Sequence, residues 1–395
     1  MKILRVIASM NPMSGGPCQG IRNAIPQLEK LGFETEVVCL DDPNQVFLGK
    51  DSFKITALGP TKTAWQYSNK LYPWLLQNIC KFDAVIVHGL WLYHGFAVRK
   101  VLAKLNKEKQ NLPKLYVMPH GMLDPYFQKN EARKLKAIRN IIYWNLIESK
   151  LINIADAILF TCQAELLLAR ETFKPYQPKK ELNIGYGIQT PPNFMPSMEL
   201  AFREKCIGLN RNFILFLSRI HEKKGVENLI AAYEAILQLH TNTESIIPQL
   251  VIAGPGIDSD LGIKLNTKVQ NSSLLKSNVI FPGMLTGDSK WGAFYLCDAF
   301  ILPSHQENFG IAVAESLACE KPVLISNQVN IYKEIEIENA GFIASDTYEG
   351  VLDLLTNWLK LNPEKKQSMR KNAAMAFTKY FTIQAAAARF KSVIN

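Results

Sequence analysis

Apolar residues along this chain gather into short uninterrupted runs, and between the runs they recur at spacings of three and four. The first half holds KILRVIAS from Lys2, ETEVVCL from Glu34, ITALG from Ile55, AVIVHG from Ala84, KLYVMPHG from Lys114 and AILFTC from Ala157. Most are apolar on successive positions, which predicts β-strands covered on both faces. Helical periodicity fills the gaps, and alternating strand and helix is the mark of parallel sheets with crossover helices. Between Ala8 and Glu34 a Gly/Ser turn leads into a helix that Gly32 closes as a C-cap.

Around Tyr186 to Pro196 the texture changes to GYGIQTPPNFMP, and its Gly and Pro predict a linker. The alternation restarts with FILFLS at 213–218, QLVIAG at 249–254, VIFPG at 279–283, AFILPS at 299–304, PVLIS at 322–326 and GFIA at 341–344. The pattern predicts an α/β protein of two Rossmann-like domains. They are expected at 1–190 and 191–375, with a C-terminal helix over 376–395 crossing back onto the first. The length of 395 residues agrees, since one hydrophobic core rarely organises so long a chain.

Composition narrows the class. No run approaches the roughly 18 apolar residues of a membrane span, and MKILRVIASM reads as a core strand, so a cytoplasmic protein is expected. Seven widely spaced cysteines fit a reducing compartment. Neither cysteines nor histidines show metal-ligand spacing, so no metal is expected. The net charge of +10 is lopsided: residues 1–190 carry 25 Lys+Arg against 15 Asp+Glu, and the remainder 45 − 25 = 20 against 35 − 15 = 20. A basic half reads as a surface for an anionic partner, or simply as solubility.

In open α/β sheets ligands lie beyond the carboxyl ends of the strands, so the chemistry is sought in the strand-to-helix turns, and two such domains place the site in the cleft between them. After AFILPS comes SHQENFGIAVAESLACEKPVLIS, with Glu307 in the turn and Glu315 inside a helix that begins near Gly310 or Ile311. The amides of Asn308, Phe309, Gly310 and Ile311 can meet an anion or sugar hydroxyls, and the two carboxylates can accept from two sets of hydroxyls. Glu307 alone reads equally as an acid favouring a helix N-terminus. After FILFLS, Arg219, Lys223 and Lys224 precede Gly225 and can aim cations at a diphosphate. The turns AGPGI at 253–257 and FPGML at 281–285, the latter with Met284 and Leu285, can cradle a base or ribose. In the first half Gly15 and Gly16 follow the first strand, and His120 ends KLYVMPHG. Asp258-Ser259-Asp260 has the D-x-D form of a metal site but sits in a Gly-rich loop, so it reads as a polar turn.

The segment 129–150 is helical in pattern, with Leu135, Ile138, Ile142 and Leu146 on one stripe and Arg133, Lys134, Lys136 and Arg139 beside it. Two readings stand: the stripe packs on the sheet, or it lies on the inner face of an anionic membrane. Basic residues and aromatics do not interleave, so nucleic acid is not an expected partner.

Together, Arg219 and Lys224, the E-x7-E pair Glu307 and Glu315, the His120-Gly121 turn and the Gly15-Gly16 turn resemble the family 4 retaining glycosyltransferases of the GT-B fold. The resemblance covers nearly the whole chain, and ENFGIAVAESLACEKPV is its most specific part. It implies a nucleotide-sugar donor, by frequency UDP-glucose, no cofactor, and a glycan or polyprenyl-linked acceptor in polysaccharide assembly. It implies that Arg219 and Lys224 contact the diphosphate, Glu315 the ribose, Glu307 and the amides 308–311 the donor sugar, His120 the sugar's far hydroxyl and Gly16 the phosphate. It implies retention without an enzyme nucleophile, the leaving phosphate taking the acceptor's proton. Two positions depart from the family pattern: EGFG is ENFG here, and a PNG turn reads Gly185-Tyr186-Gly187. A sugar-nucleotide epimerase or a phosphorylase of the same shape is the alternative.

Overall fold

The computed structural model describes residues 1–129, 134–241 and 247–394. The chain forms two compact units, Met1–Gly187 with Ile383–Asn395, and Ile188–Thr382. The fold is GT-B, with a Rossmann-like parallel sheet in each unit.

In the first unit the strands are β1 (Lys2–Ile7), β2 (Glu34–Cys39), β3 (Ile55–Ala57), β4 (Ala84–His88), β5 (Lys114–Met118), β6 (Ala157–Phe160) and β7 (Glu181–Asn183). Their order is β3-β2-β1-β4-β5-β6-β7, all parallel, so the winding reverses between β1 and β4. β4 is buried at every position, which explains why its sequence is apolar without alternation. β7 escapes sequence reading because it is only three half-buried residues at the sheet edge. The helix Gly16–Lys30 ends as its sequence predicts. Gly32, at φ 88°, donates to the Glu29 carbonyl, and Phe33 donates to the Leu28 carbonyl while sharing its apolar cluster, a Schellman closure.

The second unit holds β8 (Phe213–Leu217), β9 (Gln249–Ala253), β10 (Val279–Gly283), β11 (Ala299–Leu302), β12 (Val323–Ser326) and β13 (Gly341–Ala344). Their order is β10-β9-β8-β11-β12-β13, again parallel, with the reversal between β8 and β11. Strand ends on either side of such a reversal splay their outgoing loops apart and leave a crevice.

The expected boundary at 190 falls at Gly187–Ile188, and the one at 375 at Thr382–Ile383. The helix expected over 376–395 starts later. Pro363–Ala376 runs on through a π-helical turn, Phe377–Phe381, and extended Thr382 breaks it before the helix Ile383–Ile394 begins. That last helix belongs to the first unit, with Phe390 edge-on to Phe33 at 5.6 Å. The helix expected over 129–150 is Lys134–Tyr143, a π-helical turn Trp144–Glu148 and Ser149–Ile154. Arg133 lies outside the described residues. No described helix is long and apolar enough to cross a membrane.

Gly225, at φ 66°, links the turn after β8 to the helix Val226–Leu239, and a Cβ there would lie 2.1 Å from the Pro303 carbonyl oxygen. Gly225→Ala is therefore expected to destabilise the second unit by about 1–3 kcal/mol, read as a lower melting temperature in calorimetry.

Candidate active site

Two loops at the reversal point of the second sheet, with the helix that follows one of them, carry most of the predicted residues. After β8 the backbone continues alongside the end of β9: Ser218 N donates to the Ala253 carbonyl at 3.0 Å and Ile220 N to the Pro255 carbonyl at 2.9 Å. Only glycine fits at 254, where a Cβ would sit 1.9 Å from the Ser218 oxygen. Arg219, between these bonds, is exposed and has no hydrogen-bond or ion-pair partner among the described residues. Lys224 by contrast is buried, and its Nζ forms a short ion pair with Glu307 Oε2.

The loop after β11 is fixed by its backbone. His305 N donates to the Lys223 carbonyl at 2.8 Å, tying the two loops together. Glu307 N donates to the Gln328 carbonyl at 2.9 Å, and Asn330 N to the Glu307 carbonyl at 3.0 Å, a single parallel bridge that anchors the residue as if it were a strand. Left-handed Gly310, φ 77°, then opens the helix Ile311–Ala318, as the sequence predicts. First-turn N–H groups, Ile311 among them, lack intrahelical acceptors, so an anion or hydroxyl can meet them. Phe309 is buried with its ring edge-on to Phe381 at 5.7 Å, so the ring serves packing.

Glu315 lies on that helix, largely buried, and pairs with Lys290 at 2.6 Å. Burial raises its pKa and Lys290 opposes the rise. Sequence reading missed Lys290. Its signal was a lone cation beside Trp291 in the short helix Gly287–Leu296, and its ammonium lies over the Trp291 ring at 4.6 Å. Met284 and Leu285 follow β10, two strands away from β8. Met284 is exposed, whereas the Leu285 side chain is buried, so only its main chain can meet a ligand. Gly254 N donates to the Gly283 carbonyl at 2.8 Å and joins their turn to that of β9. Ser259 of the D-x-D triplet caps the helix Asp260–Asn271, its Oγ accepting from Gly262 N at 3.1 Å.

In the first unit, His120 follows β5 in the left-handed region, φ 53°, unusual for a residue with a Cβ. The turn is held by buried Glu165, which accepts from Gly121 N at 2.6 Å and Thr161 N at 2.8 Å. The His120 ring stacks on His88, the last residue of β4, with His88 Nδ1 2.9 Å from His120 Nε2. His88 Nε2 is 3.1 Å from Nη1 of Arg5, a buried residue of β1. Arginine only donates. His88 must therefore accept at Nε2 and, when neutral, carry its proton on Nδ1; it donates that proton to His120, whose own proton then sits on Nδ1. Burial and the Arg5 charge depress both imidazoles, His120 to about 3, and burial alone lowers Arg5 to about 10, which leaves it charged at neutral pH. His120 is thus a neutral Nδ1–H donor suited to a hydroxyl oxygen, with a tautomer set by Arg5 two hydrogen bonds away. Neither Arg5 nor His88 was singled out in the sequence. A Cβ at Gly15 or Gly16 would meet nothing within 4 Å, so a ligand can approach this backbone closely, while Tyr186 Oη donates to the Gly16 carbonyl at 2.9 Å.

With this geometry in view, known proteins place the class. Residues 198–375, nearly all of the second unit, match the family model of glycosyl transferases group 1. O-antigen chain mannosyltransferase C of Escherichia coli is 25% identical over 54% of this chain and 53% of its own. Alpha-maltose-1-phosphate synthase of Mycolicibacterium smegmatis is 25% identical over 89% of this chain and 87% of its own. The chain spans about half or less of the first curated relatives it matches. Among solved structures, HepE of Anabaena in complex with UDP and glucose superposes with a TM-score of 0.71 at 18% identity, covering 100% of this chain and 99% of that one.

The histidine chain generates two expectations. In nitrogen-15 NMR, His88 and His120 should stay neutral with their protons on Nδ1 across about pH 5 to 8, where free histidine titrates; an imidazolium signal from either ring in that range would refute the assignment. Because the unfolded chain binds protons near pH 6.5 and the folded His120 only near 3, stability is fully present above 6.5 and declines as pH falls towards 3. Urea unfolding of His120→Gln should show a shallower decline over that interval.

Proposed function

We propose that this protein is a retaining hexosyltransferase of the family 4 type. It would move a hexose from a nucleotide sugar, UDP-glucose first among donors, to a glycan or polyprenyl-linked acceptor in polysaccharide assembly, without a metal and in the cytoplasm. One observation carries the reading: two carboxylates and two cations, Glu307, Glu315, Arg219 and Lys224, belong to the loops and helix at the reversal point of one sheet. The glycosyl transferases group 1 match over the same residues supports it, as does the likeness to a HepE structure containing UDP and glucose.

Arg219, exposed and without a partner among the described residues, can turn onto a diphosphate, and Lys224 adds a second cation beside Glu307. Negative charge grows on the diphosphate as the bond from anomeric carbon to phosphate oxygen breaks, and both cations stabilise it. Glu315 accepts from the ribose hydroxyls, and Lys290 opposes the rise in its pKa that burial causes. Met284 and Leu285 border the base, and Gly16 approaches the phosphate. Glu307, held by Lys224 and its backbone bridge, accepts from the donor sugar alongside the amides of Asn308, Phe309, Gly310 and Ile311. It positions the sugar and does not attack it. The acceptor oxygen bonds to the anomeric carbon on the face the phosphate leaves, and its proton passes to the departing phosphate oxygen. His120 donates Nδ1–H to a far oxygen of the sugar.

Calorimetric titration with UDP, GDP and ADP, without metal, tests this. One nucleotide is expected to bind, and Arg219→Ala and Glu315→Ala should each weaken it by about 1.5–3 kcal/mol. If no nucleotide binds, the transferase reading fails; turnover of the sugar nucleotide without acceptor, or dependence on phosphate, would transfer the case to an epimerase or a phosphorylase.

A further inference from the structure

The stripe on the helix Lys134–Tyr143 does not pack on the sheet. The residues this helix and the following π-helical turn bury are Ala137, Asn140, Trp144 and Glu148. Leu135 is 84% exposed, Ile138 56%, Ile142 56% and Leu146 60%, and together they line an open groove of about 340 Å³. Four large aliphatic side chains in one exposed row exceed the scattered apolar residues a soluble surface carries.

The charges beside the row identify what covers it. At about 100° per residue, Lys134 falls on one flank of the stripe and Arg139 and Lys136 on the other. Between 134 and 150 the acidic residue is Glu148, and it is buried, with Oε1 accepting from Trp91 N at 2.8 Å. Among the described residues 134–150 the exposed charges are therefore all positive, and they belong to the half of the chain that holds the whole basic excess. A second copy docked on the same patch would set Lys136 and Arg139 against their own equivalents, which like-charge repulsion disfavours. An apolar row with cations on both flanks matches a lipid bilayer bearing anionic headgroups, where the aliphatic chains enter the acyl boundary and the ammonium and guanidinium groups meet phosphates.

We propose that this helix lies flat on an anionic membrane surface, with Leu135, Ile138, Ile142 and Leu146 inserted and Lys134, Lys136 and Arg139 at the phosphate level. The inference concerns a surface and does not depend on the transferase reading. If both hold, the enzyme works where a polyprenyl-linked acceptor would be anchored.

The full chain should co-sediment with vesicles of phosphatidylcholine containing about one-third phosphatidylglycerol, and much less with phosphatidylcholine alone. Ile138→Asn/Ile142→Asn and, separately, Lys136→Glu/Arg139→Glu should each reduce binding by at least about tenfold, the isoleucine variant with melting temperature unchanged because those side chains are exposed. Binding of the wild type should weaken as salt rises. No retention on anionic vesicles, or equal retention of both double variants, overturns the proposal. So does a wild-type dimer in light scattering that Ile138→Asn/Ile142→Asn dissociates, which would give the surface to a second copy. Nucleotide titration of the same variants should be unaltered, so failure here is distinct from failure of the donor site.

Discussion

The Pro303 carbonyl oxygen occupies the space where a Cβ on residue 225 would stand, and the Lys223 carbonyl accepts from His305 N at 2.8 Å. These two close approaches lock the loop after β8 to the loop after β11, and the second unit's site depends on them. They seat Lys224 beside Glu307, and the backbone bridge from Glu307 to Gln328 and Asn330 holds that loop against the chain leaving β12. The helix Ile311–Ala318 and its Glu315 follow from where this loop ends. A side-chain contact alone would leave the carboxylate on a mobile stem. Here main-chain bonds on both sides set its position before any ligand arrives, which is the preorganisation that positioning chemistry requires.

The two units handle buried charge differently. In the second, Lys224 and Lys290 are each matched by a carboxylate, and such pairs add little net stability because desolvation offsets attraction. Their value is directional: each ammonium holds its carboxylate aimed. In the first, Arg5 is buried with imidazole and the Phe390 ring at hand, its guanidinium 5.7 Å from the ring centroid. An uncompensated cation of this kind is costly. Burial first, and the Arg5 charge with it, keeps His88 and His120 neutral, and Arg5 dictates which nitrogen of each carries the proton. The same physics, a charge in low dielectric, pairs cations with carboxylates in one unit and selects a neutral imidazole donor in the other.

The exposed stripe on Lys134–Tyr143 shows a third use of the chain. A helix normally turns its apolar stripe inwards, yet this one buries Trp144, Ala137 and the polar Asn140 and Glu148 and leaves Leu135, Ile138, Ile142 and Leu146 in water. Trp144 stacks on Phe173 at 4.8 Å, and that contact fixes the rotation of the helix about its axis. Rotation by half a turn would hide the aliphatic row and expose the tryptophan.

What the sequence by itself determined is local. Apolar runs long enough to cross a sheet marked every strand except β7, and glycines at 32, 225 and 310 marked the ends and starts of helices because left-handed backbone is a property of the residue itself. The eight-residue spacing of Glu307 and Glu315 was legible for the same reason, since one loop and one helix separate them. Partners across the sheet were not. Lys290 lies 25 positions before Glu315, and Arg5 lies 83 before His88, which is 32 before His120. Periodicity identified the stripe on 134–146 but not its direction, because a period defines a face and only the packing of neighbouring elements decides what that face meets.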